Sequence, residues 1–253
     1  MSRWLAIWIL WAALLARADR LTLAGVAEFT AAYRAWDGQR FATAADLFRQ
    51  ATTNAPGSST NSYWLGAAQF HRMLQLRSLP PSQTNTLAAS EAMDAALAAL
   101  NTAVALDARD AESHALLGTL YGMKIDGNWI RGARFGPRVQ KHRAHALEFG
   151  TENPRVRYLL GTCQFHTARK PAAQREALAS FLAAEQLFLA EARRAAEPLE
   201  PRWGQSTCLT FIGRTYELLG QPAAAAAYFR KALTQHPADH LAKDGLARVS
   251  EEH

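Results

Sequence analysis

His142 and His145 stand three residues apart in a stretch with helical periodicity. That spacing puts two imidazoles on one helix face, an arrangement a metal ion can use. Arg138, Lys141 and Arg143 surround them, and no cysteine or carboxylate is placed to complete a ligand set, so no metal is expected. Cys163 and His166 are also three apart. A thiol nucleophile needs a base and a third group that orients the base, and no third group is apparent. Residues 127–132, GNWIRG, lack the Gly-Lys-Ser/Thr ending of a phosphate-binding loop. His71 and His166 occupy equivalent places in separate segments and are not expected to share an ion. The expectation is no catalytic residue, no cofactor and no enzyme.

Basic residues offer binding rather than reaction. Arg131, Arg134, Arg138, Lys141 and Arg143 follow one another closely. They suit a cationic ledge for a phosphate, a lipid headgroup or an acidic partner; the other reading is a solvated face whose arginines also cap loop carbonyls. The preceding stretch 122–137, GMKIDGNWIRGARFGP, holds four glycines, a Trp and a Phe, and reads as a compact loop.

The elements that position these residues repeat. Toward the C-terminus, Leu209, Ile212, Gly213, Tyr216, Gly220, Ala225, Phe229, Ala232 and Pro237 recur at fixed offsets. This pattern resembles the tetratricopeptide repeat (TPR), a helix–turn–helix unit of about 34 residues. Small residues let two helix axes approach, aromatics fill the space between them, and the proline ends the second helix. Ala32, Gly66, Gly118, Gly161 and Gly213 take the same small-residue place, at steps of 34, 52, 43 and 52 residues. The third copy departs most: Val139 and Arg143 stand where the second helix usually carries alanine and an aromatic. The resemblance implies an all-α helix–turn–helix solenoid with about five helix pairs, at roughly 25–57, 59–109, 111–152, 154–200 and 206–238, and a polar C-terminal cap at 240–249. The insertion near 72–89, with Pro80-Pro81, reads as a loop that extends one or both helices, and that of the fourth unit lengthens its second helix through Ala195.

Helical geometry then selects a second face. Phe29 and Trp36, Tyr63 and Phe70, and Tyr158 and Phe165 are each two turns apart on the first helix of their units. Tyr33, His71, His166 and Arg214 lie beside them. These ten residues are the expected groove for a protein or peptide segment, because rings supply contact area at low entropy cost. The alternative is that the rings pack between helices or lie under the insertions. A TPR subset grips C-terminal carboxylates with Lys, Asn and Arg on this face. Here only Arg155 and Arg214 are basic there, so that clamp is not matched.

Compartment is read from the first 18 residues. Arg3 precedes an unbroken apolar run, Trp4 to Leu15, and Ala16-Arg17-Ala18 offers small residues at a cleavage point. That order is expected of a secretory leader and is short for a permanent span; the alternative is an uncleaved amphipathic or anchoring helix. Cleavage after Ala18 is expected, leaving 19–253 as one domain in the bacterial periplasm, with no transmembrane span and at most a peripheral association with the envelope. Hydrophobic residues make up 49% of the 253 and charged residues 20%, a globular balance rather than a disordered one. Abundant alanine favours helix. Removing Arg3 and Arg17 leaves 26 basic against 22 acidic residues, too mild an excess to call for nucleic acid. Cys163 and Cys208 read as two packed thiols out of step for a bridge. The leading function is a non-enzymatic protein- or peptide-binding scaffold. The alternatives are an assembly subunit with its groove self-occupied, contacting through the insertions, and a lipid or small-ligand carrier with a closed apolar cavity.

Overall fold

The computed structural model describes residues 2–251; of residues 2–16 and of Ala18 only the helical backbone is described. The leader expected at 1–18 therefore lies largely outside the described side chains. Among the described residues every regular element is a helix: α1 (Ser2–Ala35), α2 (Gly38–Asn54), α3 (Ser59–Ser78), α4 (Gln83–Leu106), α5 (Ala111–Ile125), α6 (Trp129–Phe149), α7 (Pro154–Thr167), α8 (Pro171–Ala192), α9 (Gln205–Leu218), α10 (Pro222–Gln235) and α11 (His240–Glu251). The protein is all-α and of TPR type.

Two compact units divide the chain. One comprises Met1–Ser113 with Glu197–Glu200, the other His114–Ala196 with Pro201–His253. In the first, α1 packs on α2, α2 on α3, and α3 on α4. In the second, α7 packs on α8, α8 on α9, α9 on α10, and α10 on α11.

Local chemistry sets the helix starts. Asp37 accepts from the backbone N–H groups of Gln39 and Arg40, and Asn153 from those of Arg155 and Val156. Ser58, Ser82 and Asn128 cap α3, α4 and α6 in the same way. Proline opens α7, α8 and α10, where its missing N–H costs nothing.

Small residues facing large ones hold the pairs together. Gly66 lies against Leu100, Gly161 against Phe181, and Gly213 against Phe229. A Cβ on Gly161 would fall 2.6 Å from the Phe181 ring, closer than any real contact. Ala32, Ala44, Phe48 and Ala51 are fully buried in the first pair, as are Ala225, Phe229 and Ala232 in the fifth.

The third pair differs. Gly118 meets no opposing side-chain tip; the nearest atoms to a Cβ there are the Arg143 amide nitrogen at 3.7 Å and the His142 Cβ at 3.8 Å. A cavity of about 30 Å³ lies beside it, lined among others by Ala115, Val139, Arg143, Leu159 and Cys163. Arginine in the aromatic's place accounts for it, because a guanidinium seeks water and leaves the inner space unfilled.

Two sequence expectations are corrected. Residues 122–137 do not form a loop: α5 runs to Ile125, a short turn follows, and α6 starts at Trp129. The Asn128 side chain caps that start, and packing of Phe135 on Tyr121, ring centroids 6.0 Å apart, outweighs the poor helix propensity of Gly132 and Gly136. Pro137 lies exposed inside α6, where it supplies no N–H to the helix ladder. The second correction is smaller: α8 ends at Ala192 rather than Ala195.

Candidate functional site

The ten expected groove residues separate by environment. In the first unit, Phe29, Tyr63, Phe70 and His71 are buried. His71 is the centre of a packed aromatic cluster, with ring centroids of Phe29 at 5.1 Å, Phe70 at 5.2 Å, Tyr33 at 5.3 Å and Phe41 at 5.8 Å. Its Nδ1 donates to the Ala67 carbonyl at 2.8 Å, and burial holds its pKa down at about 4. Tyr63 donates its hydroxyl to Glu112, and its neighbour Trp64 donates its indole N–H to the Leu199 carbonyl at 3.1 Å. Tyr33 and Trp36 are half-buried, and the Trp36 indole donates to Ser78 at 3.1 Å. The buried rings are interior packing, so the expected open aromatic wall is corrected at Phe29, Tyr63, Phe70 and His71: large apolar rings on the neighbouring helices α1 and α3 satisfy one another first.

In the second unit Tyr158 is buried against Phe181 and Phe211. Phe165 and Arg214 are half-buried, and His166 is exposed. These three come together across α7 and α9. The Arg214 guanidinium lies over the Phe165 ring at 5.0 Å and the Phe211 ring at 5.1 Å. His166 stands edge-on to both rings. Burial, then repulsion from Arg248, lowers the Arg214 pKa, but guanidinium remains charged. Partial burial and then the Arg214 charge lower His166, which is neutral near pH 7. Glu217 is engaged by Arg248 through two hydrogen bonds, 2.7 and 3.0 Å. The patch therefore presents one cation, one neutral imidazole and an aromatic floor.

Arg155 has a different role from the one its sequence place suggests. It is buried and bonded to Glu191, so it offers nothing to a partner. Of the expected basic ledge, Arg131, Arg134, Arg138 and Lys141 are exposed on α6, while Arg143 is half-buried beside the cavity.

Sequence spacing missed His114. Its Nδ1 lies 2.9 Å from Nδ1 of His142, so one ring donates and the other accepts, and His145 is 5.0 Å away by centroid. The partner is on α5, and no local spacing in α6 signals it. Burial first, then the charges of His114 and Lys141, holds His142 at about 4. Among the described residues no group of three or more His, Cys, Asp or Glu is arranged to hold a metal.

The two cysteines are unbridged. Cys208 is buried and its thiol contacts the Phe181 carbonyl at 3.5 Å. Burial and then Glu185 push its pKa well up, and burial raises Cys163 despite Arg143. A thiol held protonated is a poor nucleophile. The cavity near Gly118 admits a water-sized group and not an acyl chain. No described helix is long and apolar enough to cross a membrane.

Comparison with known proteins gives a family model, Regulator of microtubule dynamics protein 1-3, that matches residues 29–249. No curated protein matches the chain in sequence. Among solved structures, TTC0263, a thermophilic TPR protein of Thermus thermophilus, is similar with a TM-score of 0.64 at 18% identity, covering 92% of this chain and 99% of that one. YrrB, described as a TPR protein with an unusual peptide-binding site, is similar with a TM-score of 0.39 at 16% identity, covering 81% of this chain and 83% of that one.

Proposed function

The chain belongs to the regulator of microtubule dynamics protein 1-3 family, and from that footing we propose that it is a non-enzymatic scaffold that holds a protein segment on its second unit. The observation that carries this reading is Arg214. It is a half-buried cation, stacked on Phe165 and Phe211, and the neighbouring Glu217 carboxylate is bonded to Arg248. A guanidinium in that setting favours an incoming carboxylate, and the rings beside it favour an apolar neighbour of that carboxylate. The segment it suits is extended and acidic with an adjacent hydrophobic residue.

The test is capture of crosslinked partners from the native compartment by the full chain and by Arg214→Ala and Phe165→Ala variants. Loss of the same partner bands from both variants is expected. Unchanged capture by both would overturn the groove assignment.

We further read residues 1–18 as a leader that is removed on export to the periplasm. The support is the order Arg3, apolar run and Ala16-Arg17-Ala18. Intact mass of the protein recovered from its own cell is expected to begin at Asp19; a mass that includes residues 1–18 would reject cleavage.

A further inference from the structure

We propose that the start of α6 is a docking surface for an anionic lipid membrane. Trp129 and Ile130 are the most exposed large apolar side chains of the second unit, 80% and 60% open. They are the first two residues of α6, next to the cap residue Asn128. Along the helix, Trp129, Ala133 and Pro137 are spaced four apart and all exposed, so they form one strip. Ile130, Arg134, Arg138 and Lys141 run beside it, also exposed. The outer face is thus apolar at one end and flanked by cations along its length.

The charge is strongly one-sided. Between Gly122 and Arg143 there are six basic residues and one acidic residue, Asp126. Among the described residues, Arg131, Arg134, Arg138 and Lys141 form no ion pair. Two of them are held by rings instead: Arg134 lies 5.2 Å from the Phe135 centroid, and Arg138 lies 5.4 Å from that of Tyr121. Ring contacts fix these guanidinium groups at the surface while leaving their charge uncompensated. The positive end of the α6 dipole adds to the same field.

An anionic bilayer fits these features better than an acidic protein segment. A peptide needs a groove in which to bury its own apolar residues. Here the large apolar side chains are themselves the projecting parts, and they need a medium to enter. Tryptophan prefers the headgroup layer, and each nearby Lys or Arg strengthens attraction to anionic lipid. This surface is separate from the Arg214 patch, so the two assignments fail independently.

The experiment is flotation of the full chain with vesicles of phosphatidylcholine, alone or with about one-third phosphatidylglycerol. The native chain is expected to float with the anionic vesicles and to be released by raised salt. Trp129→Ser with Ile130→Ser is expected to weaken that partition by about tenfold or more, and Arg131→Gln with Arg134→Gln and Arg138→Gln to weaken it comparably. All the side chains replaced are at the surface or touch only neighbouring rings, and an unchanged helical circular dichroism spectrum checks that each variant folds. Absence of native binding to anionic vesicles would overturn the proposal. So would equal binding by native chain and both variants, which would place the contact elsewhere on the chain. Binding of soluble polyglutamate at these residues without any vesicle binding would also overturn it, in favour of an acidic protein partner.

Discussion

Arg155, in the first turn of α7, is bonded through both terminal nitrogens to the Glu191 carboxylate in the last turn of α8, at 3.0 and 2.6 Å. Only 3% and 8% of the two side chains remain exposed. Arg202 reinforces the junction by donating to the Glu191 carbonyl at 2.6 Å. Gly204 follows with a φ of 101°, and a Cβ there would fall 3.1 Å from Phe188. The pair thus ties the two ends of one helical hairpin and the segment that leads into α9.

Breaking this pair from one side leaves a buried charge without its partner. Glu191→Gln or Arg155→Ala is expected to destabilise the chain by about 3–5 kcal/mol. Replacing both, as Arg155→Met with Glu191→Leu, is expected to cost less than either single change. Denaturant midpoints of the three variants check this; a double variant less stable than both singles would contradict it.

Glycine substitutions at equivalent repeat places are expected to have opposite effects. Gly161→Ala forces a methyl to within 2.6 Å of Phe181 and is expected to destabilise by about 1–3 kcal/mol. Gly118→Ala meets nothing closer than 3.7 Å and is expected to stabilise by up to about 1 kcal/mol through helix propensity. Thermal melts compare the two directly.

Acid is expected to weaken the first unit through His71. Its pKa is about 4 when folded, below the ordinary 6.5, so the unfolded chain binds the extra proton between those values. Stability from this group is complete above pH 6.5, falls as pH is lowered toward 4, and changes no further below that. The span corresponds to about 3 kcal/mol. His71→Phe removes the titration. A stability–pH profile of the variant as steep as that of the native chain across this window would disprove the assignment.

Thiol labelling at about pH 8 is expected to separate the two cysteines. Cys208, buried and pushed far up, is expected to react with iodoacetamide only as the protein unfolds. Cys163, half-buried, is expected to react slowly but in the native state. Peptide mass spectrometry with and without urea reads both.

Helix pairing was legible because it depends on local periodicity: Gly213 and Phe229, or Ala32 and Phe48, carry their roles in their spacing. The start of α6 was not legible, because Gly132 and Gly136 argue against helix and the tertiary contact of Phe135 with Tyr121, with the Asn128 cap, overrides them. Register placed Phe29, Tyr63 and Phe70 on the right face, but register says nothing of what lies opposite, and these rings proved to be enclosed. Phe165, His166 and Arg214 stay partly open. Partners distant in sequence, such as His114 for His142 and Glu191 for Arg155, left no spacing signal at all.

Arginine at position 143, where the other repeats carry Phe48, Leu100, Phe181 and Phe229, has a mechanical meaning. Where Gly161 and Gly213 each take a ring into close contact, Gly118 of α5 meets α6 no nearer than 3.7 Å. Deformation under load concentrates at the most compliant element, so amides of α5 and α6 should exchange with deuterium sooner than those of α9 and α10. The protein carries its own point of give, in the same helix that bears its densest positive charge.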